Sequence, residues 1–255
     1  MKLTFLGTGV AIPQANRVQS GILIDTGRKP LLLDCGSGVL NRINDSGNDH
    51  TSIEHVVLTH LHLDHVSDLL CLIKANWLCG KTDISLYGPA GTESYLNKLL
   101  DAYSYMKDKV DIQINELIPG KSYIIEDTGC TINSVRGIHS VPSLSYRVDT
   151  DSGSVVYTGD TEPSTSIMQL SNGADCLIHE CSFPPGFETT NHTNPDMLAE
   201  MLDSNPPGCN EIYLTHLYPH MQGHENESLE ILRKHFHDRV KIAEDLMEII
   251  IKKKK

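Results

Sequence analysis

No apolar run in this chain of 255 residues approaches the roughly 20 positions that a membrane-spanning helix requires, so no transmembrane segment is expected. The opening residues Met1-Lys2-Leu3-Thr4-Phe5-Leu6-Gly7 lack the long apolar region of a signal peptide, and a cytoplasmic location is expected. Paired cysteines are absent too. The seven present are odd in number and contain no C-x-x-C pair, which argues against a disulfide framework and for reduced, mostly buried thiols. Basic charge is scarce: 21 Lys and Arg stand against 33 Asp and Glu, a net charge of −12. Such a balance argues against a broad nonspecific grip on nucleic acid. The one basic cluster, Lys252 to Lys255, reads as a solvated chain end. No linker, composition shift, short-period repeat or low-complexity stretch divides the chain, so residues 1–255 read as a single domain.

Short apolar strands are plentiful. They are expected at 3–6, 21–25, 31–34, 55–59, 84–87 and 123–126, and again at 131–135, 145–148, 155–158, 176–179, 211–215 and 246–251. Helical spacing falls between them. Over 66–78 the residues Val66, Leu69, Leu70, Ile73 and Trp77 recur at three- and four-residue intervals, which predicts one helix with Trp77 on its core face. Residues 92–106 give a second helix and 225–236 another. Asn194-Pro195 opens a further one, with a capping side chain and proline at the first helical position. Strands and helices interleaved in two similar halves predict an α/β fold of two facing sheets covered on their outer sides by helices.

The chemistry concentrates in His60-Leu61-His62-Leu63-Asp64-His65, directly after the strand-like Val56-Val57-Leu58-Thr59. An extended backbone through His60 and His62 puts both imidazoles on one face, while the turn that follows aims Asp64 and His65 from another direction. Other donors stand where strands are expected to end: His139, Asp160 and His216. Several such ends can converge in one cleft. Imidazole and carboxylate suit zinc, and also manganese or iron. Two ions about 3.5–4 Å apart can hold a hydroxide and neutralise charge on an attacked phosphorus or carbonyl, so hydrolysis is the expected reaction. Gly7-Thr8-Gly9 is a weak phosphate loop, since the Lys-Ser/Thr that would follow is absent.

Five motifs together resemble the metallo-β-lactamase-fold hydrolases: Asp34-Cys35-Gly36-Ser37-Gly38, Thr59 through His65, His139, Thr158-Gly159-Asp160-Thr161, and Leu214-Thr215-His216. The resemblance implies a four-layer αββα sandwich of two mixed sheets with a two-metal site along one edge. It also implies that His60, His62 and His139 bind one metal, that Asp64, His65 and His216 bind the other, and that Asp160 bridges. The related flavo-diiron oxidoreductases carry Glu where this chain has His62, which argues against redox use.

Within that superfamily the chain is most similar to the ribonuclease Z group of phosphodiesterases. The likeness lies in Phe5-Leu6-Gly7-Thr8-Gly9 with Pro13, Arg17 and Ser20, in His139-Ser140-Val141-Pro142-Ser143 with Tyr146-Arg147, and in Leu177 through Phe183 with His192-Thr193. It implies that Glu180 and His192 form a pair serving the scissile phosphate, and it suggests a homodimer. In physical terms the carboxylate holds the imidazole's tautomer and favours its protonated form, which can stabilise the transition state or protonate the leaving oxygen. The competing reading makes Glu180 an orienter of a metal ligand and His192 a loop residue. Asp64 is a further candidate, as general base or as orienter of the hydroxide.

Members of that group that process transfer RNA carry a long Gly- and basic-rich arm between the equivalents of His139 and Asp160. Here the interval is short, and 149–154 reads as an acidic hairpin turn. Leu63 and Asp68 stand where glycine is usual. Cyclic nucleotides, or other cyclic or short phosphodiesters, are therefore the favoured substrates, with RNA less favoured. Other readings are a ribonuclease Z-type transfer RNA 3′-processing enzyme, a thioester, lactone or sulfate-ester hydrolase, and a non-catalytic metal-binding adaptor or sensor. Arg147 is expected to pair with a surface carboxylate, His179 to fill the sheet core, and His220 and His224 to be solvated loop residues.

Overall fold

Among residues 1–252, which the computed structural model describes, two seven-stranded sheets lie face to face. The first runs in the order β14 (Glu248–Ile250), β1 (Lys2–Gly7), β2 (Gly21–Asp25), β3 (Leu31–Leu33), β4 (His55–Val57), β5 (Asp83–Gly88) and β6 (Asp111–Glu116). The second runs β13 (Val240–Ile242), β12 (Glu211–Thr215), β11 (Cys176–Glu180), β10 (Gly153–Tyr157), β9 (Leu144–Thr150), β8 (Cys130–Arg136) and β7 (Ser122–Ile125). Both are mixed: β3 to β6 and β10 to β13 pair in parallel, and the remaining neighbours pair antiparallel.

Alternation along each strand builds the layers. Leu3, Phe5, Ile22, Ile24, Leu31 and Leu33 meet Tyr146, Val155, Tyr157 and Ile178 between the sheets. Their neighbours Leu6, Leu23 and Leu32 face outward onto α1 (Val39–Asp45), α3 (Leu69–Leu78) and α4 (Thr92–Ala102). Val156, Leu177 and Ile212 do the same beneath α5 (Thr165–Leu170), α6 (Pro195–Ser204) and α7 (Glu225–Phe236). Strands covered on both faces must be apolar at successive positions, which is why they read as continuous runs. The result is the four-layer αββα sandwich.

The helix expected over 66–78 is two pieces, α2 (Leu63–Val66) and α3. The Asp64 carbonyl that would continue the ladder accepts instead from Ser20 N, and Asp68 N donates to the Cys35 carbonyl. The Asp68 carboxylate turns back to accept from Gly38 N at 2.8 Å and Leu40 N at 3.1 Å, tying α1 to this break. Trp77 is half-buried against the outer core beneath Lys74. The second expected helix ends at Ala102, and residues 104–106 form a single 3-10 turn. Strands β6 and β13 were not anticipated. One is a half-exposed edge of Ile112 and Ile114 set among polar residues, and the other is three residues long.

Asn194 caps α6 as expected, accepting from Met197 N at 2.9 Å. Five of the seven unpaired cysteines are buried; Cys71 and Cys79 are exposed. Among the described residues no helix is long and apolar enough to cross a membrane. Of the basic cluster at the chain end, Lys252 is exposed and 253–255 lie outside the described residues.

Candidate metal centre

The parallel strands β4, β10, β11 and β12 all deliver their C-terminal ends to one edge of the sandwich, where clefts form in such sheets. His60 follows β4, Asp160 follows β10, Glu180 ends β11 and His216 follows β12, while α2 presents Asp64 and His65. Donor atoms of His60, His62, His139 and Asp160 lie within 4.8 Å of one another, and those of Asp64, His65 and His216 do likewise. Asp160 stands between the two groups. Its Oδ1 is 3.2 Å from His65 Nε2 and 3.3 Å from His216 Nε2, and its Oδ2 is 3.6 Å from His60 Nε2 and 4.0 Å from His139 Nε2. Asp64 Oδ2 lies 3.4 Å from His216 Nε2 and accepts from Ala11 N.

Local backbone makes this approach possible. Gly159 adopts φ 57°, and a Cβ there would lie 2.6 Å from Thr59 Cβ, so only glycine lets β10 close against the end of β4. Asp34 (φ 57°) and His216 (φ 59°) also take the left-handed region, a strain held by the buried hydrogen bonds of both side chains.

Hydrogen bonds on the far side of each ring assign its tautomer. His65 Nδ1 donates to Asp34 Oδ2 at 2.7 Å, and His139 Nδ1 donates to the Asn191 carbonyl at 2.8 Å. Ser182 Oγ donates to Glu180 Oε2, so it accepts from His216 Nδ1 at 3.0 Å. Thr59 Oγ1 donates to Asp34 Oδ2 and accepts from His60 Nδ1 at 3.0 Å. Each Nε2 therefore turns a lone pair inward, the state a metal ion requires. His139 Nε2 faces His62 Nδ1 at 3.1 Å, and His65 Nε2 faces His216 Nε2 at 3.3 Å. His60 Nε2 and Asp160 Oδ1 are buried without any hydrogen-bond partner. Converging lone pairs and orphaned buried donors fit divalent cations and leave little other account of the cluster.

Electrostatics agree for His60 and His62, whereas the carboxylates beside His65 favour its protonated form until an ion takes the place of the Nε2 proton. Burial, reinforced by His65, pushes the pKa of His60 well below the ordinary imidazole range, and burial with His139 lowers that of His62. Burial also opposes charge on His65, but Asp160 and Asp34 outweigh it and hold its pKa well above the usual value. For Asp160, burial would favour the neutral acid, yet His216, His65 and His60 keep it ionised far below the usual carboxylate range. Asp64 is lowered as well, its hydrogen bond to His216 and the charge of His65 overcoming burial.

Glu180, fully buried, meets His192 at 2.9 Å between Oε1 and Nδ1. Its other contacts leave it little freedom: Oε1 accepts from Thr161 N, and Oε2 accepts from Thr193 N and Ser182 Oγ. Burial disfavours protonation of His192, but the bond to Glu180 outweighs it and the pKa is raised. Asp160, His192 and His216 also form a possible donor group, but with Nδ1 of His192 engaged by Glu180 the pairing describes that ring better.

The nine metal-site and catalytic candidates of the sequence, His60, His62, Asp64, His65, His139, Asp160, Glu180, His192 and His216, thus meet in one place. Arg147 is turned away, bonding Asp149 and the carbonyls of Leu170 and Asn172. His179 is buried in the second sheet and His224 is exposed. Asp34, Thr59 and Ser182 orient these groups without having been singled out in the sequence, although all three lie inside the motifs that carry the resemblance. Beside His139 opens a cavity of about 360 Å³ lined by Pro89, Leu117, Arg136, Ser140 and Val141.

A family profile described as anti-Pycsar protein Apyc1 matches residues 1–237. The ribonuclease Z of Methanosarcina acetivorans is 27% identical over 305 residues, spanning 98% of each chain. The metallo-β-lactamase fold protein YhfI from Bacillus subtilis superposes with a TM-score of 0.83 at 26% identity, over 98% of this chain and 99% of that one. The short form of human tRNase Z superposes with a TM-score of 0.79 at 24% identity, over 98% and 99% of the two chains, a likeness of fold.

Proposed function

Since this chain belongs to the anti-Pycsar protein Apyc1 family and is a ribonuclease Z-like, metal-dependent hydrolase of the metallo-β-lactamase fold, we propose that it is a phosphodiesterase of cyclic or short phosphate diesters. The observation that carries this is the Glu180–His192 pair, a buried carboxylate holding a raised-pKa imidazole beside the converged donors. In this reading His60, His62 and His139 would hold one divalent ion and Asp64, His65 and His216 a second, with the Asp160 carboxylate facing both donor groups. Zinc is the preferred metal for that donor set. Ions bound there would supply an activated water and neutralise charge at phosphorus.

The chain's own residues do the rest. Asp64, fixed by Ala11 N, orients the water for attack. Glu180 keeps the Nδ1 proton of His192 in place, so that a protonated Nε2 can stabilise charge on the phosphoryl oxygens and give its proton to the leaving oxygen. Proton transfer of this kind contributes about 10²–10⁴-fold.

A small substrate is supported by the interval between His139 and Asp160. It is spent on β9 and β10, joined by a tight turn at Asp151 and Ser152, with no arm for gripping RNA. A ribonuclease Z activity is the second reading, favoured by the full-length match to a protein of that name. Residues 1–255 are read as one hydrolase domain. A cytoplasmic setting fits its unpaired, mostly buried thiols.

The test is a screen of the metal-loaded protein against cyclic nucleotides, a generic aryl phosphodiester and unprocessed transfer RNA, with metal content measured on the same sample. Turnover of cyclic nucleotides that is lost in His60→Ala supports the first reading. Cleavage confined to transfer RNA replaces it with the second, and no turnover of any phosphodiester defeats both.

A further inference from the structure

Next to the metal centre stands a column of aromatic rings that the chemistry above leaves unused. Phe183 stacks on Phe187 with ring centroids 4.4 Å apart and planes 3° from parallel, and on Tyr218 at 4.6 Å and 27°. His220 leans against Phe183 and Phe187 at 5.9 and 5.6 Å. The column touches the reactive end of the site: Tyr218 lies 5.8 Å from His192 and 6.0 Å from His216, and Phe183 lies 6.0 Å from His192.

These rings come from two loops that are pinned where they meet. Gly186 N donates to Asp196 Oδ2 at 2.7 Å, Phe187 N donates to the Pro184 carbonyl at 3.2 Å, and Asn194 Nδ2 holds the Phe187 carbonyl at 2.7 Å. Tyr218 N donates to the Ser182 carbonyl at 3.1 Å. Even so, Phe187 at the end of the column is 36% exposed. A large apolar ring fixed in place, open to solvent and continuous with a polar reaction centre is unlike a core residue that failed to bury. Its flat face suits another π system, because stacking on an aromatic ring is tolerant of which base is presented.

We propose that Phe187, backed by Phe183 and Tyr218, is a stacking subsite for the heterocyclic base of a nucleotide phosphodiester whose phosphate lies at the metal centre. The assignment rests on the phosphodiesterase reading above. What it adds is the place of base recognition, on the His192 side of the cleft. His220, at the edge of the same column, is placed to contact the base or sugar.

The experiment compares a nucleoside 3′,5′-cyclic phosphate with the methyl riboside 3′,5′-cyclic phosphate, which has no base. Hydrolysis by the metal-loaded wild type, Phe187→Ala and Phe187→Trp is followed. Calorimetric binding of a nucleoside monophosphate and of ribose phosphate is measured alongside. The selectivity for the base-bearing ester, as a ratio of kcat/KM, should fall about tenfold or more in Phe187→Ala, chiefly through KM, and survive in Phe187→Trp. The binding preference for the nucleoside monophosphate should fall in parallel. A ratio unmoved in Phe187→Ala, or an equal loss on both esters, overturns the subsite. A wild type that binds the nucleoside monophosphate through Phe187 but hydrolyses neither ester instead overturns the phosphodiesterase reading.

Discussion

Asp34 Oδ2 lies 2.7 Å from His65 Nδ1, with both side chains fully buried at the junction of the two sheets. The same carboxylate accepts from Thr59 N, from Thr59 Oγ1 and from the Tyr157 hydroxyl on the opposite sheet. It therefore aims two imidazoles, His65 directly and His60 through Thr59, while stapling β10 to the loop after β3. Replacing it tests whether orientation, and not only the presence of donors, determines metal binding. Asp34→Asn keeps the size but loses the charge that fixes the His65 tautomer. Metal affinity should drop about 10–100-fold, a range typical of removing such partners. Chelator competition followed by elemental analysis reads this directly, with far-UV circular dichroism as the control for folding.

The Glu180–His192 pair should set the alkaline limb of the pH–rate profile. Burial opposes charge on His192 and the bond to Glu180 overcomes it. The fold raises this pKa, so the pair's contribution to stability is complete below the ordinary imidazole range and is lost as pH rises through the raised folded value. A reaction needing the imidazolium follows the same window. Glu180→Gln removes the raising interaction and leaves burial in place, so the alkaline limb moves to lower pH. His192→Ala should cost about 10²–10⁴-fold in kcat with metal content retained. A profile that does not move in Glu180→Gln would reduce the pair to a structural role.

Much of this site is legible in the linear chain because metal donors are few in kind and cluster at strand ends. His60 to His65 announces itself, and His139, Asp160 and His216 each follow a readable apolar strand. What is not legible depends on contacts between distant segments. Tyr157 and Asp34 meet across 123 positions, and Ser182 links Glu180 to His216 only because β11 and β12 end side by side. The stacked Phe183 and Phe187 share one loop while Tyr218 comes from another, and nothing in their spacing predicts a shared column. In the fold, β6 and β13 escape because one is largely polar and the other too short to show alternation. The break before α3 escapes because it is made by Ser20 and Cys35, both far from it in sequence.

Arg147 should prove structural. Its Nε meets the Asp149 carboxylate at 2.9 Å, and its Nη1 donates to the Leu170 and Asn172 carbonyls at 3.0 and 2.7 Å, anchoring the end of α5 to β9. Arg147→Ala should lower stability by about 1–3 kcal/mol, the cost of losing hydrogen bonds made by a charged group. Its kcat/KM on any phosphodiester should stay within about twofold, a change of about 0.4 kcal/mol, since the guanidinium is engaged by Asp149 and the α5 end and faces away from the donor cluster. Thermal unfolding and steady-state kinetics on one preparation separate the two effects. A large rise in KM would instead make Arg147 a phosphate contact.

Removing the metal should expose what the centre contributes to folding. Without an ion, His60 Nε2 and Asp160 Oδ1 are buried with no hydrogen-bond partner, and the Nε2 atoms of His65 and His216 crowd each other at 3.3 Å. Metal bound to the native state and not to the unfolded chain adds RT ln(1 + [L]/Kd), about 2.7 kcal/mol at a hundred times Kd. For a chain of this size each kcal/mol corresponds to roughly 2–4 °C in Tm, so chelation should lower Tm by several degrees and zinc should restore it. Asp160→Asn sharpens the test. The substitution keeps the side chain's shape but removes the charge facing both donor groups, so the metal-dependent rise in Tm should shrink and the zinc content per chain should fall. A full complement of zinc in Asp160→Asn, with an undiminished rise in Tm, would show that the two donor groups bind independently of the carboxylate between them.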